Sequence, residues 1–158
     1  MTASAGKARS YALLLLRYRD RSEKEMRERL KKKGFQSDEI EAAVEYLRGA
    51  GYLDDRALAD NLMRQALANR LLGFEGARRY MRDRGLSGDV INEALAYDEQ
   101  TELQNIARLL EKKRKTLERY PEPKRTRSLV AFLMRKGYRL SVIRKAMKTT
   151  MIYEEFDA

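Results

Sequence analysis

The chain has 158 residues and a net charge of +10, with no His and no Cys. Disulfides, thiolate metal sites, His ligands and His-based triads are thereby excluded. A basic excess of this kind points to a polyanion, an acidic protein groove or an anionic membrane surface as partner. More than half of it falls in residues 98–158.

The longest clean apolar run is Tyr11-Ala12-Leu13-Leu14-Leu15-Leu16. It is far short of the roughly 18 to 20 apolar residues of a membrane span. Arg17, Arg19, Asp20 and Arg21 follow it without a small-residue cleavage site, so it reads as the buried start of a first helix and not as a signal peptide. Ser22 and Glu25 then form a capping box that opens a second helix, which carries Arg27, Lys31, Lys32 and Lys33 and ends at Gly34. Asp38, with Glu41, is the predicted N-cap of a third helix whose inner face is Ile40, Ala43, Val44 and Leu47.

Asp54 and Asp55 precede a fourth helix with Ala59, Leu62, Met63 and Ala66 on one side, and capping is a better reading of this pair than metal binding. Gly73 and Gly76 bracket a connecting loop, not a phosphate-cradling motif. A fifth helix carries Arg78 and Arg82 to Gly85, and Asp89 is the predicted cap of a sixth helix with Ile91, Ala94 and Leu95 inward. Leu103, Ile106, Ala107 and Leu110 make an i, i+3, i+4, i+7 stripe on a seventh. The stretch from Glu111 to Arg127, with Pro121 and Pro123, reads as a lengthened end of that helix followed by a basic loop. The last two helices flank Gly137, with Ser141 as cap and Ile143, Ala146 and Met147 inward.

Gly34, Gly85 and Gly137 recur at a period of about fifty residues. Leu30, Met81 and Leu133 stand one turn before them, Lys33, Arg84 and Lys136 immediately before, and Phe35, Leu86 and Tyr138 immediately after. A glycine in this place takes the left-handed conformation at a helix C-terminus, and the flanking apolar pair closes a Schellman contact. Sustained period-two alternation is missing. The pattern predicts an all-α fold of three tandem three-helix repeats, helix-turn-helix-like units forming an elongated, curved body. The repeats span residues 9–52, 53–97 and 98–150, and residues 151–158 form a tail.

The basic residue before each glycine reads first as a complement to the helix macrodipole, and second as a repeated phosphate contact. Arg27 and Lys31 share a helix face, and Arg78 and Arg82 repeat them in the second unit. A helix-turn-helix reader would put the last helix of each unit in a major groove. The first unit carries Asp38, Glu39, Glu41 and Glu45 there, and the second Asp89 and Glu93, which repel phosphates. Only the third, with Arg139, Arg144, Lys145 and Lys148, suits DNA. Contact with single-stranded nucleic acid is therefore expected to be sequence-tolerant and salt-sensitive. The candidate contact residues are Arg27, Lys31, Lys32, Arg78, Arg82, Lys112, Lys113, Arg114, Lys115, Lys124, Arg125, Arg144 and Lys145. Tyr120 is the candidate for stacking on a base, whereas Phe35, Tyr46, Tyr52 and Tyr138 are expected in the core. No catalytic, cofactor or metal constellation emerges. A protein that binds single strands on its own is one reading of such a surface.

Arg19-Asp20-Arg21-Ser22-Glu23-Lys24-Glu25-Met26, Leu30-Lys31-Lys32-Lys33-Gly34-Phe35 and Gly51-Tyr52-Leu53-Asp54-Asp55 resemble the blocks of the RecX family of bacterial recombination regulators. Gly76-Ala77-Arg78-Arg79-Tyr80-Met81-Arg82-Asp83-Arg84-Gly85-Leu86 is a weaker match to the family's second block; the family often has an acidic residue where Tyr80 stands and, earlier in the chain, Phe where Leu58 stands. The likeness covers roughly residues 9–150 and is thinnest in the third unit. It implies a non-enzymatic, cytoplasmic, monomeric modulator of the RecA recombinase, with no cofactor, small-molecule substrate or membrane. Such a protein binds the RecA–DNA filament, restrains its extension, and lowers its ATPase, strand-exchange and coprotease activities.

Overall fold

The computed structural model describes residues 3–156, and side chains within residues 4–150. Among the described residues the chain is all helix and connection, with no strand. The helices are α1 Ala3–Tyr18, α2 Glu23–Lys33, α3 Ser37–Gly49, α4 Asp55–Arg64, α5 Phe74–Asp83, α6 Gly88–Ala94, α7 Glu99–Leu117, α8 Lys124–Arg135 and α9 Leu140–Phe156. A π-helical turn, Gln65–Asn69, extends α4. The predicted three-helix grouping is thus present, as α1–α3, α4–α6 and α7–α9. Helix α9 continues through residues set apart above as a tail, and residues 157–158 lie outside those described.

Each of the three glycines ends a helix as the repeat requires. Gly34, Gly85 and Gly137 have φ of 109°, 85° and 93°. Phe35, Leu86 and Tyr138 donate their amides to the carbonyls of Leu30, Met81 and Leu133 at 3.2, 3.3 and 3.2 Å. The glycine amides bond Lys31, Arg82 and Met134. This pairing of bonds defines the Schellman motif and satisfies carbonyls that a helix end leaves open.

The helices that follow begin slightly earlier than the acidic residues suggest. Gln36, not Asp38, is the N-cap of α3, and its amide donates to Glu39. Ser87 accepts from the Val90 amide ahead of α6, so Asp89 lies in the first turn. Ser141 likewise lies inside α9. The Schellman turn already reverses the chain, so helical dihedrals resume almost at once. Asp38 and Asp89 still oppose the positive helix ends as first-turn charges.

Compact packing divides the chain in two. One unit runs up to Leu62 and takes in Met81–Ala94; the other comprises Met63–Tyr80 and the chain from Leu95 on. In the first, Ala8, Ala12 and Leu15 of α1 meet Met26 and Leu30 of α2 and Ile40, Ala43, Val44 and Leu47 of α3. In the second, Ile106 and Leu109 of α7 pack with Leu129 and Leu133 of α8 and Val142, Ile143 and Ala146 of α9. Leu71 and Tyr138 join that core.

Helix α7 is turned one residue from its predicted stripe. Its buried positions are Glu102, Asn105, Ile106 and Leu109, and Ala107 is exposed. The two polar side chains explain the rotation. Glu102 accepts from the Phe74 amide at 3.2 Å, and the Asn105 amide donates to the Leu67 carbonyl, inside the π turn, at 2.9 Å. Main-chain groups at a helix start and an irregular turn need such partners when buried.

Candidate interfaces: docked glycine turns and exposed cationic faces

The block around Ser22 folds as a tight polar knot. Ser22 and Glu25 form the expected capping box, at 3.1 Å in both directions. Asp55 accepts from the Glu23 amide at 3.0 Å, and Asp54 accepts from the Ala57 amide at the start of α4. The aspartate pair therefore caps two helices, one each. Glu25 also receives Arg19 at 2.7 Å and Arg84 at 3.2 Å. Arg84 extends a second nitrogen to the Asp20 carbonyl at 2.8 Å. Arg21 is buried, which together with nearby Arg19 and Arg29 lowers its pKa.

In the second repeat the basic residue before the glycine, Arg84, is thus engaged within the fold. Arg84 ties its own glycine turn to the loop between α1 and α2. The fit there is close, since a Cβ on Gly85 would stand 2.6 Å from the Ser22 hydroxyl. The same arrangement recurs between the second and third repeats. Gly73 donates to the Lys136 carbonyl at 2.9 Å, and a Cβ on Gly73 or Gly76 would overlap the Lys136–Gly137 backbone. Lys136 reaches the Arg70 carbonyl at 2.9 Å, the Tyr138 hydroxyl reaches the Leu71 carbonyl at 2.6 Å, and Arg139 pairs with Glu75 at 3.0 Å. Leu71 is held at φ 53°, a left-handed conformation costly for a Leu and sustained by these contacts.

The aromatic residues divide. Tyr138 is buried and Phe35 half-buried, whereas Tyr46 and Tyr52 are 43% and 57% exposed, contrary to a core placement. Tyr46 carries the Arg9 guanidinium on its ring at 3.5 Å, a cation–π contact. Tyr120 is exposed beside the α7–α8 turn, with Lys124 5.1 Å from its ring centroid.

The predicted contact cations fall into two sets. Several are occupied within the fold. Arg27 makes a two-pronged bond to Glu41 of α3, at 2.9 and 3.3 Å, with Glu23 at 3.5 Å. Arg78 belongs to neither set: it is half-buried, and its Nε has no hydrogen-bond partner among the described residues. Lys113 lies 4.0 Å from the centroid of the Phe132 ring. Arg114 pairs with Glu118, Arg125 bonds the Tyr120 carbonyl, and Lys145 bonds Glu99 at 2.6 Å. Glu99 raises the Lys145 pKa through that bond. Arg27 and Lys31 do share a surface, lining a groove of about 390 Å³ with Phe35, Gln36, Ile40 and Glu41.

Lys31, Lys32, Arg82, Lys112, Lys115 and Arg144 are exposed and face solvent. Two further cations complete a pattern that sequence reading passed over. Arg108, Lys112, Lys115 and Arg119 are all exposed; the spacing of four and three residues puts Arg108, Lys112 and Lys115 on one face of α7, and Arg119 follows in the turn just past its C-cap. The signal was present in the spacing, but Lys113 and Arg114 between them blur the stripe into a run of charge.

A chain of three-helix units in tandem, each burying its apolar faces against neighbours, belongs to the helical-repeat class. A model of the first three-helix domain of RecX matches residues 8–47, and a model of the third matches residues 100–147. The third unit, thinnest in motif resemblance, is thus matched too. Regulatory protein RecX of Chlorobaculum tepidum is 34% identical over 144 residues, covering 91% of this chain and 88% of that one. Regulatory protein RecX of Clostridium botulinum strain Eklund 17B is 29% identical over 154 residues, covering 96% and 72%. The crystal structure of RecX from Lactobacillus salivarius shares the fold, with a TM-score of 0.83 at 18% identity over 96% of this chain and 99% of that chain. The chain belongs to the RecX family, whose curated members are named regulatory proteins.

Proposed function

We propose that this chain is a non-enzymatic regulator of the RecA recombinase, acting in the cytoplasm as a monomer on the RecA–DNA filament. It restrains filament extension and so lowers ATPase, strand-exchange and coprotease activity. Membership of a family of regulatory proteins is the observation that carries this reading.

The exposed cations of α7 supply a DNA contact. Arg108, Lys112 and Lys115 advance about one helical turn at a time, a rise of roughly 5.4 Å, and Arg119 continues the line in the turn after α7. Successive phosphates of a single strand can follow such a ladder without any base being read. Lys31, Lys32 and Arg144 add charge at other exposed positions.

The test is DNA-stimulated ATP hydrolysis by RecA of the same organism. Inhibition at one chain per RecA supports the reading, and no effect at that ratio overturns it. Tight single-strand binding with a steep salt slope and no effect on RecA would replace it with a stand-alone single-strand-binding protein.

A further inference from the structure

Two of the three glycine turns are covered by the preceding repeat, and both covers have the same chemistry. Over Gly85 lies the start of α2, presenting the Asp20 carbonyl and the first-turn carboxylate of Glu25 to Arg84. Over Gly137 lies the start of α5, presenting the Arg70 carbonyl to Lys136 and the first-turn carboxylate of Glu75 to Arg139. The recognised element is a loop carbonyl followed by a helix that opens with a glutamate.

The corresponding turn of the first repeat is bare among the described residues. A Cβ on Gly34 would meet nothing within 4 Å. Lys33 occupies the place of Arg84 and Lys136, and its ammonium rests over the Tyr11 ring at 5.2 Å, without an ion pair among the described residues. Gln36 occupies the place of Arg139 and is exposed. Tyr11 and Phe35, half-buried and with ring centroids 6.2 Å apart, form the floor.

We propose that the Gly34 turn is a docking site for the acidic start of a helix on a partner protein. Lys33 takes the loop carbonyl or the glutamate carboxylate, and Gln36 donates to whichever remains. The two occupied turns establish what fits. A second copy of the chain does not supply it, because the corresponding helix start of the third repeat is Lys124-Arg125-Thr126-Arg127. That segment would set cations against Lys33 and offers no carboxylate, so head-to-tail chaining is disfavoured.

The identity of the partner as RecA rests on the function proposed above; the chemistry of the site does not. Filament binding by the full chain tests both. Lys33→Glu is expected to weaken binding to a RecA–single-strand filament roughly tenfold, the scale of removing one charge-assisted hydrogen bond and adding repulsion. Lys33→Arg should bind like the unsubstituted chain, since Arg stands there in the second repeat. Thermal melting of both variants establishes that the fold is intact. A photo-crosslinker at Gln36 should attach to a RecA peptide bearing Glu or Asp at a helix start. If the unsubstituted chain fails to bind the filament, the RecA reading falls. If it binds and Lys33→Glu binds equally well, or the crosslink goes to DNA or a second copy, the docking site falls while the RecA reading stands.

Discussion

Gly73 and Lys136 are joined main chain to main chain, amide to carbonyl, across 2.9 Å. Such a bond between a helix start and a helix end requires the two backbones to touch, and glycine at residues 73, 76 and 137 leaves the room. The pair shows that tandem repeats here are locked by backbone contact as well as by apolar side chains.

Gly76→Ala should therefore be severe. A Cβ at Gly76 would overlap the Lys136 carbonyl, which is main chain and cannot swing away. The expected loss is about 3 kcal/mol, at the upper end of overpacking penalties. Gly6→Ala is the control, since nothing lies within 4 Å of its added Cβ in α1. It should gain up to about 1 kcal/mol from helix propensity. Urea unfolding with an unchanged slope reads both.

Tyr138→Phe removes a single buried hydrogen bond, to the Leu71 carbonyl at 2.6 Å. Burial pushes the Tyr138 phenol up from its ordinary value, so the hydroxyl remains a donor throughout the neutral range. The variant should lose about 1–3 kcal/mol, because the Leu71 carbonyl is left unpaired. Hydrogen exchange should quicken first at Gly73, whose amide lies in the same contact.

Glu102 predicts a pH dependence of unusual sign. Burial, joined by the charge of Glu75, raises its carboxyl above the ordinary 4.5, against the Phe74 amide, the Tyr97 hydroxyl and Arg139, which lower it. A folded-state pKa above the unfolded one contributes stability at pH below 4.5, and that contribution is lost as pH rises through the folded value. Its Oε1 is buried without a partner among the described residues. Glu102→Gln should thus raise the melting temperature at pH 7, with the gap closing as the pH is lowered through the carboxylate range. An equal gap at all pH values would show that the charge is not the cause.

Reversing Arg108, Lys112, Lys115 and Arg119 together should leave the melting temperature nearly unchanged, since all four are exposed. The slope of log affinity against log salt for single-strand binding should become shallower by roughly 0.7 for each phosphate no longer neutralised. Arg27→Ala should do the opposite: cost about 1 kcal/mol of stability through the removal of its bonds to Glu41 and Glu23, and leave DNA binding alone. Equal effects on DNA binding would reject the division into occupied and free cations.

Much of the fold was legible in local signals. The period of the three glycines, the Ser22–Glu25 capping box and the apolar spacing of α3 each depend on a few neighbouring residues, and each appears in the structure. The candidate cations were legible only as a population. Charge in a sequence carries no record of its partner, and Glu41 and Glu99 lie on other helices from the Arg27 and Lys145 they engage. The rotation of α7 escaped for a related reason. Periodicity ranks Ala107 above Asn105 as a core residue, but Asn105 meets a carbonyl exposed by the π turn.

The order of helices, their ends and the repeat follow from short-range chemistry: which residue can adopt a left-handed turn, which caps an amide, which faces recur at helical spacing. Which cations remain free, and which turn remains bare, follow from long-range contact. Arg84 and Lys33 hold the same place in the repeat. Arg84 is engaged by Asp20 and Glu25, whereas Lys33 rests over the Tyr11 ring, because among the described residues no helix start packs on the Gly34 turn.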